Sequence, residues 1–513
     1  MRNQEIFVSL DIGTTSIKVV VAEYINGQVN IIGVGNEKSR GLSRGVIVDI
    51  DETVYSIQQA IAQAERKANV KINEVVVGLP SNKLTIESCH GMIAVASETR
   101  EISERDVDNV ISAAKVRSVP PEREIIAILP EEFIVDGFNG IRDPRGMIGV
   151  RLELFATLIS GPKTIIHNIK RCVEKAGLAI SEMVIQPQAI AQVALTPDER
   201  EFGTVIIDMG GGQTSASIIY DNQLKYSFVD QEGGDFVTKD ISIILNTSLD
   251  SAERIKREFG YAVPSQTSDE EYFPVETVGK KEPVRVDERY LSEIIEARLV
   301  QIFETIHEDL EQVDALDLPG GFVLTGGAAS LPGVLELAQQ LFGPKVRLYI
   351  PDQMGMRNPV FTTSMGMIEY VAGLDDVHRI AQGTFRTVLP QEPLSRPMPS
   401  RPSVSQQRPS TMRTEYVAEE SYDSQVEVAK PASRVGSMFD RFKEKAKSTA
   451  DRFDSRGDHS AEASYMDRSF NEDQYEDSMY YEDTDEVAHN QSSEPVGNDV
   501  TSKVRSFFST FFD

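Results

Sequence analysis

Apolar residues recur along residues 1 to about 389 in two rhythms. Runs of strand length, among them EVVVGLP at 74–80, TVIIDMGGG at 204–212 and GFVLTGGAA at 321–329, alternate with stretches of helical spacing. ISERDVDNVISAAKV (102–116) and SAERIKREFG (251–260) read as amphipathic helices. Ser103 followed by Asp106 reads as a capping box, with Asp where Glu or Gln is usual. Strands alternating with helices predict an α/β architecture.

The rhythm stops at Pro390. The stretch QEPLSRPMPSRPSVSQQRPS carries five prolines and reads as an extended linker. Between Ser469 and Ser502 there are ten Asp or Glu and no Lys or Arg, so 390–500 reads as disordered, first Pro-rich and then acidic. SMFDRFKEKAKSTADRF (437–453) sets Phe439, Phe442, Ala446 and Phe453 near one helical face. That stripe is thin, and a transient helix or basic island accounts for it.

A helical period returns at 501–513. Val504, Phe507, Phe508, Phe511 and Phe512 share one face, with Lys503 and Arg505 off it and Thr501 or Ser502 to cap the start. Thirteen residues make about 20 Å of helix, too short for hydrocarbon about 30 Å thick. The helix suits the membrane interface, with Phe in the acyl boundary and Lys503 and Arg505 near anionic headgroups. Docking on the chain's own body or on a partner protein would also bury the face; the interface is preferred because it explains why the helix ends a long tether.

Two stretches repeat one pattern. IFVSLDIGTTSIKVVVAEYINGQVNIIGVG from Ile6 and TVIIDMGGGQTSASIIYDNQLKYSFV from Thr204 each have an apolar strand ending in Asp, a Gly/Thr-rich turn and a second strand. A two-residue turn, Asn26-Gly27 or Asp221-Asn222, then leads to a third strand. The meander used twice predicts two related halves. A tight turn points several backbone N–H groups into one concavity, Gly lets a phosphate approach, and Thr or Ser adds hydroxyl donors. A carboxylate would repel phosphate directly but suits a magnesium ion held through water. Two such turns facing each other would clamp a triphosphate, with Asp11 and Asp208 sharing one cation. Two ordinary Gly-rich hairpins would look alike singly; the matched Asp offset favours phosphate. There is no GxxxxGK[ST], and each Gly-rich turn leads to a strand, so neither a P-loop nor a dinucleotide fold fits.

On these residues the chain resembles the ATPase superfamily of actin, Hsp70 and the sugar kinases. LDIGTTSIK (10–18) and IIDMGGGQTS (206–215) resemble its two phosphate loops, QPQAIAQVAL (186–195) and TTSMGMIEYV (362–371) its connecting helices, and FVLTGGAASLPGV (322–334) its adenosine loop. Within the superfamily, the layout and tail resemble the FtsA-type bacterial cell-division proteins. The resemblance implies a two-lobed fold: subdomain 1A in 1–83 and 162–196, an extra subdomain 1C in 84–161 in place of actin's 1B, and a second lobe in 197–389 with 2B inserted at about 235–312. It implies ATP and Mg2+ as ligands, and nucleotide contacts at Gly13, Thr14, Thr15, Lys18, Gly210, Gly211, Gly212, Gln213, Thr214, Gly234, Glu253, Lys256, Arg257, Gly326 and Gly327. Gln186, with Gln188 as the near alternative, matches the position that holds the attacking water. An amide is no base at neutral pH, so slow hydrolysis and an assembly switch are expected.

The resemblance further implies binding of the C-terminal peptide of the tubulin-like FtsZ through 2B, self-association into filaments, and recruitment of later division proteins. It places the chain on the inner face of the cytoplasmic membrane at the septum. A pilus-assembly or shape-determining scaffold (PilM or MreB type) and a small-molecule kinase of the same fold are the alternatives; the linker and Phe helix oppose the scaffolds, and no sugar-site Asp is identifiable.

Composition narrows this little. A net charge of -28 argues against nucleic acid as a partner. Cys89 and Cys172 make no disulfide framework, and the six His form no metal cluster, so a reducing cytosol and no structural metal are expected. The start has no signal-peptide pattern, and no run of about 18 apolar residues could span a bilayer.

Overall fold

The computed structural model describes residues 5–116, 119–280 and 282–382. The expectations for 390–500, for 437–453 and for 501–513, including Lys503, Val504, Arg505, Phe507, Phe508, Phe511 and Phe512, lie outside the described residues.

Both expected two-residue turns are left-handed, with φ of 57° and 83° at Asn26 and Gly27 and of 51° and 59° at Asp221 and Asn222. Such turns match the twist of the strands they join. The first closes a meander of β1 (Glu5–Ile12), β2 (Ser16–Ile25) and β3 (Gln28–Lys38). A small hairpin of β4 (Leu42–Ser43) and β5 (Val46–Ile47) precedes α1 (Ile50–Ala68), which Asp49 caps through the amides of Asp51 and Glu52. β6 (Glu74–Leu79) then lies parallel to β1.

An inserted unit follows: β7 (Thr85–Ala94), α2 (Glu104–Ala114), β8 (Arg123–Val135), β9 (Phe138–Ile141) and β10 (Arg151–Pro162), in a sheet of order β7-β10-β8-β9. The capping box is present on α2: Ser103 N–H donates to Asp106 Oδ2 at 2.9 Å and Asp106 N–H to Ser103 Oγ at 3.4 Å. The chain returns through α3 (Lys163–Lys175) to β11 (Ala179–Ile185), completing a first-lobe sheet of order β11-β6-β1-β2-β3.

The second lobe repeats that plan. After α4 (Gln186–Ala194) and α5 (Pro197–Phe202) come β12 (Thr204–Met209), β13 (Thr214–Tyr220) and β14 (Gln223–Asp230). Then follow α6 (Gly234–Ile244), α7 (Leu249–Phe259), β15 (Tyr272–Val275), β16 (Val284–Asp287) and the long α8 (Glu288–Gln312). β17 (Phe322–Thr325), α9 (Val334–Phe342) and β18 (Val346–Leu348) complete a sheet of order β14-β13-β12-β17-β18. The two hairpins keep one register: Asp11 lies opposite Lys18, and Asp208 opposite Ser215.

Val19, Val20, Val21 and Ala22 of β2 are consecutive and fully buried. The run does not alternate because helices cover both faces of the sheet. Val19 and Val21 join the core beneath α1, while Val20 and Ala22 meet Met365 and Ile368 of α10 (Thr362–Ala372). Each such side chain contributes about 1.5–3 kcal/mol by leaving water. The last described helix, α11 (Asp376–Gln382), turns back to the insert, where Val377 and Ala381 are buried with Val107, Val110 and Ile111 of α2 and Phe133 of β8. Arg145 clamps its start by bonding Asp376 at 3.2 Å. The sequence reading did not foresee this helix.

The connecting helices α4 and α10 touch backbone to backbone at Gly366. A Cβ there would overlap the Ala189 carbonyl and lie 3.1 Å from the Ile190 nitrogen. Gly366→Ala gains about 1 kcal/mol in helix propensity. The overlap is with backbone that cannot rotate away, so it wins. The variant should lose about 1–3 kcal/mol in urea denaturation; unchanged stability would mean the helices can separate freely.

Candidate nucleotide site

Two turns of one design end β1 and β12. A Cβ on Gly13 would lie 2.8 Å from the Ser16 carbonyl oxygen, and one on Gly210 2.8 Å from that of Gln213. Only glycine fits each first turn position, so the repeated motif reflects one backbone need met twice. The loops face each other across the cleft. At Gly212 a Cβ would come within 2.7 Å of Thr14 Oγ1, and at Gly211 within 3.1 Å of Thr15 Cβ.

Charge is distributed unevenly between the two strand ends. Lys18 Nζ donates to Asp11 Oδ2 at 2.8 Å, and both side chains are buried. Gln186, at the start of α4, donates from Nε2 to Asp11 Oδ1 at 3.1 Å. Burial, and after it the Asp11 charge, pushes the Asp208 carboxyl up to about 6, against the opposing pull of Lys18. Asp208 is thus the unneutralised member of a carboxylate pair.

The second loop is braced from behind. Gly234 N–H donates to the Gly210 carbonyl at 3.0 Å and Asp235 N–H to that of Gly211 at 2.8 Å. The first amides of α6 are therefore spent on the loop itself. Lys256 reaches over from α7, donating to the Gly234 carbonyl at 2.8 Å and Thr238 Oγ1 at 2.7 Å, and pairs with Glu253 at 2.7 Å. Arg257 pairs with the same Glu253 at 2.6 Å and is otherwise exposed. Gly326, at φ 92°, brings the end of β17 against Asp208.

So the structure gathers Asp11, Gly13, Thr14, Thr15, Lys18, Gln186, Asp208, Gly210, Gly211, Gly212, Gly234, Lys256 and Gly326 around one cleft. Other expected residues have side-chain partners of their own. Thr214 Oγ1 donates to the Glu232 carbonyl at 2.9 Å, and Gln213 Oε1 accepts from Asn82 Nδ2 across the cleft at 2.8 Å. A Cβ on Gly327 would lie 3.5 Å from Val360, and Arg257 is largely exposed beside Glu253.

Three cleft residues escaped the sequence reading: Arg44, Asn82 and Asp235. Asp235 accepts from Thr15 Oγ1 at 3.4 Å, and burial raises its pKa. The pair Gly233-Gly234 before it, opening a helix, was an available signal for Asp235. Asn82 carried none.

Asp208 holds its proton more tightly folded than unfolded. Its ionisation therefore lowers stability as pH rises from 3.8 to about 6, and the loss is complete above that window and absent below it. Without nucleotide or divalent ions, Asp208→Asn should exceed the parent chain by roughly 1–3 kcal/mol at neutral pH, the gap closing toward pH 4. Urea denaturation across pH measures this; a gap that ignores pH would deny the charge repulsion.

The family model described as "Cell division protein FtsA" matches residues 205–366, and that of the "SHS2 domain inserted in FTSA" matches residues 81–160, the region of the insert. The Cell division protein FtsA of Enterococcus faecalis is 61% identical over 382 residues, 74% of this chain and 87% of that protein. That of Bacillus subtilis is 45% identical over 370 residues, 72% of this chain and 84% of that protein. Among solved structures, the PilM-PilN type IV pilus biogenesis complex aligns with a TM-score of 0.51 at 14% identity, covering 73% of this chain and 100% of that one. That likeness concerns the fold alone, and the pilus-scaffold, shape-scaffold and kinase readings give way to the much nearer relatives. The chain belongs to the FtsA family of bacterial cell-division proteins, built on the actin-like ATPase fold.

Proposed function

We propose that this chain is an ATP-gated scaffold that holds FtsZ filaments to the inner face of the cytoplasmic membrane at the division septum. The observation that supports the switch most is the pair of matched Asp–Gly loops, face to face, with one carboxylate left unneutralised.

The loops supply amides and hydroxyls for phosphate at Gly13, Thr14 and Thr15 and at Gly210, Gly211, Gly212 and Gln213, with Lys18 beside them and Thr214 bracing the second turn. Gly234, Glu253, Lys256, Arg257, Gly326 and Gly327 border the adenosine side. Asp11 and Asp208 fit a magnesium ion held through water, since a cation between them would offset both the burial and the Asp11 repulsion that raise the Asp208 pKa. Magnesium so held would supply positive charge to the phosphate oxygens. Gln186 is oriented by its bond to Asp11, which leaves its carbonyl oxygen to accept from a water. An amide takes no proton at neutral pH, so turnover is slow and the nucleotide acts as an assembly switch.

The body connects to the membrane through its tail. No helix among the described residues is long and apolar enough to cross a bilayer. The terminal face of Val504, Phe507, Phe508, Phe511 and Phe512, with Lys503 and Arg505, would lie in the interface. One such helix binds weakly, so self-association into filaments would strengthen attachment through many copies. The 2B segment, at about 235–312, would take the FtsZ C-terminal peptide, and the assembled scaffold would recruit later division proteins.

Liposome co-flotation with ATP, Mg2+ and purified FtsZ tests this, comparing the full chain with one ending at Val500. The full chain should float and carry FtsZ, and the shorter one should stay at the bottom. Equal flotation would remove the Phe helix as anchor. FtsZ left behind by floating chain would remove the tether. Equilibrium binding of a fluorescent ATP, expected to tighten with Mg2+, tests the switch separately.

A further inference from the structure

The cleft has an edge that the phosphate and adenosine loops do not account for. In the β4–β5 hairpin, Leu42 pairs with Ile47 and Ser43 with Val46. Its turn is Arg44-Gly45, with φ of 50° and 73°. Turns of this kind favour Asn, Asp or Gly. Arginine holds the left-handed backbone at a cost, and such costs gather at functional sites.

The tip of this hairpin reaches both loops. Gly45 N–H donates to Thr14 Oγ1 of the first loop at 2.9 Å. A Cβ on Gly45 would overlap Gln213 of the second loop. The Arg44 guanidinium lies 5.5 Å from the ring centre of Phe236, in the first turn of α6. The hairpin thus spans from the first lobe to the second at the place where the loops meet.

Its charge is also uncommitted. Lys18 is held by Asp11 and Lys256 by Glu253. Arg44 is exposed and, among the described residues, its guanidinium rests on the Phe236 ring with no carboxylate partner. An exposed cation on a ring is held weakly. A guanidinium meeting phosphate oxygens makes charge-assisted, two-pronged hydrogen bonds that are far stronger. The ring is therefore a resting place that a phosphate group can outbid.

We propose that Arg44 contacts the terminal phosphate of a nucleoside triphosphate in the cleft, so that the β4–β5 hairpin distinguishes a triphosphate from a diphosphate. The proposal rests on the nucleotide reading above and adds the residue that reads the terminal phosphate.

The test is competition of ATP and of ADP, each with Mg2+, against a fluorescent ADP analogue on the full chain, on Arg44→Ala and on Arg44→Lys. Loss of one charge-assisted contact should weaken ATP by roughly ten- to a hundredfold in Arg44→Ala and leave ADP within about twofold. Arg44→Lys should recover part of the ATP affinity, because it keeps the charge and loses the fork. The side chain is exposed, so the thermal midpoint without nucleotide should not move. Equal weakening of ATP and ADP, or no weakening, overturns the proposal while leaving the nucleotide site standing. A parent chain that binds neither nucleotide overturns the site, and Arg44 with it.

Discussion

Two carboxylates end two equivalent strands at one cleft, and among the described residues Lys18 forms its ion pair with the first of them, Asp11. Lys18 and Gln186 satisfy Asp11, while burial, and after it the Asp11 charge, makes ionisation of Asp208 costly and raises its pKa to about 6. A site that lacks one positive charge in its resting state gains most from binding something that brings it. The loops, the connecting helices and the brace behind the second loop all serve to hold that arrangement in place.

The lobes are coupled through a few specific contacts. α4 and α10 cross where Gly366 meets the Ala189 backbone. Arg347 of β18 bonds Glu199 at 2.8 Å and also the Ala194 carbonyl at the end of α4. In the second lobe Arg298 of α8 bonds both carboxylate oxygens of Asp240 in α6 and Glu232 at 2.6 Å in the strand-to-helix connection. Breaking such a buried pair leaves a charge without a partner, so α8 is tied firmly to the loop region. The insert is joined to the second lobe by Lys225 and Glu131 at 3.2 Å and to the end of the described chain by α11.

Much was readable from local order alone. The doubled Asp–Gly turns, the two-residue hairpins and the capping box on α2 depend on residues within a few positions of each other. Backbone φ, strand period and cap chemistry act over that range, so the residues at Asn26-Gly27, Gly13, Gly210 and Ser103 announce their roles directly. The burial of β2 on both faces was likewise legible in its unbroken apolar run. The expectation of an apolar stripe at 501–513 is a reading of the same local kind.

The partners across space were not legible. Nothing near Gln186 in sequence says that its amide sits on Asp11, or that Gln213 turns from the loop to Asn82. Arg44, in a turn of ordinary length, becomes a cleft residue only because its hairpin spans to Thr14 and Phe236. Val377 and Ala381 follow the last motif and fill a core laid down almost three hundred residues earlier. A sequence by itself determines turns, periods and caps, because those energies are short-ranged. Which side chain turns to a partner across the cleft, and which fills which gap, was decided only when strands about two hundred residues apart came to face each other.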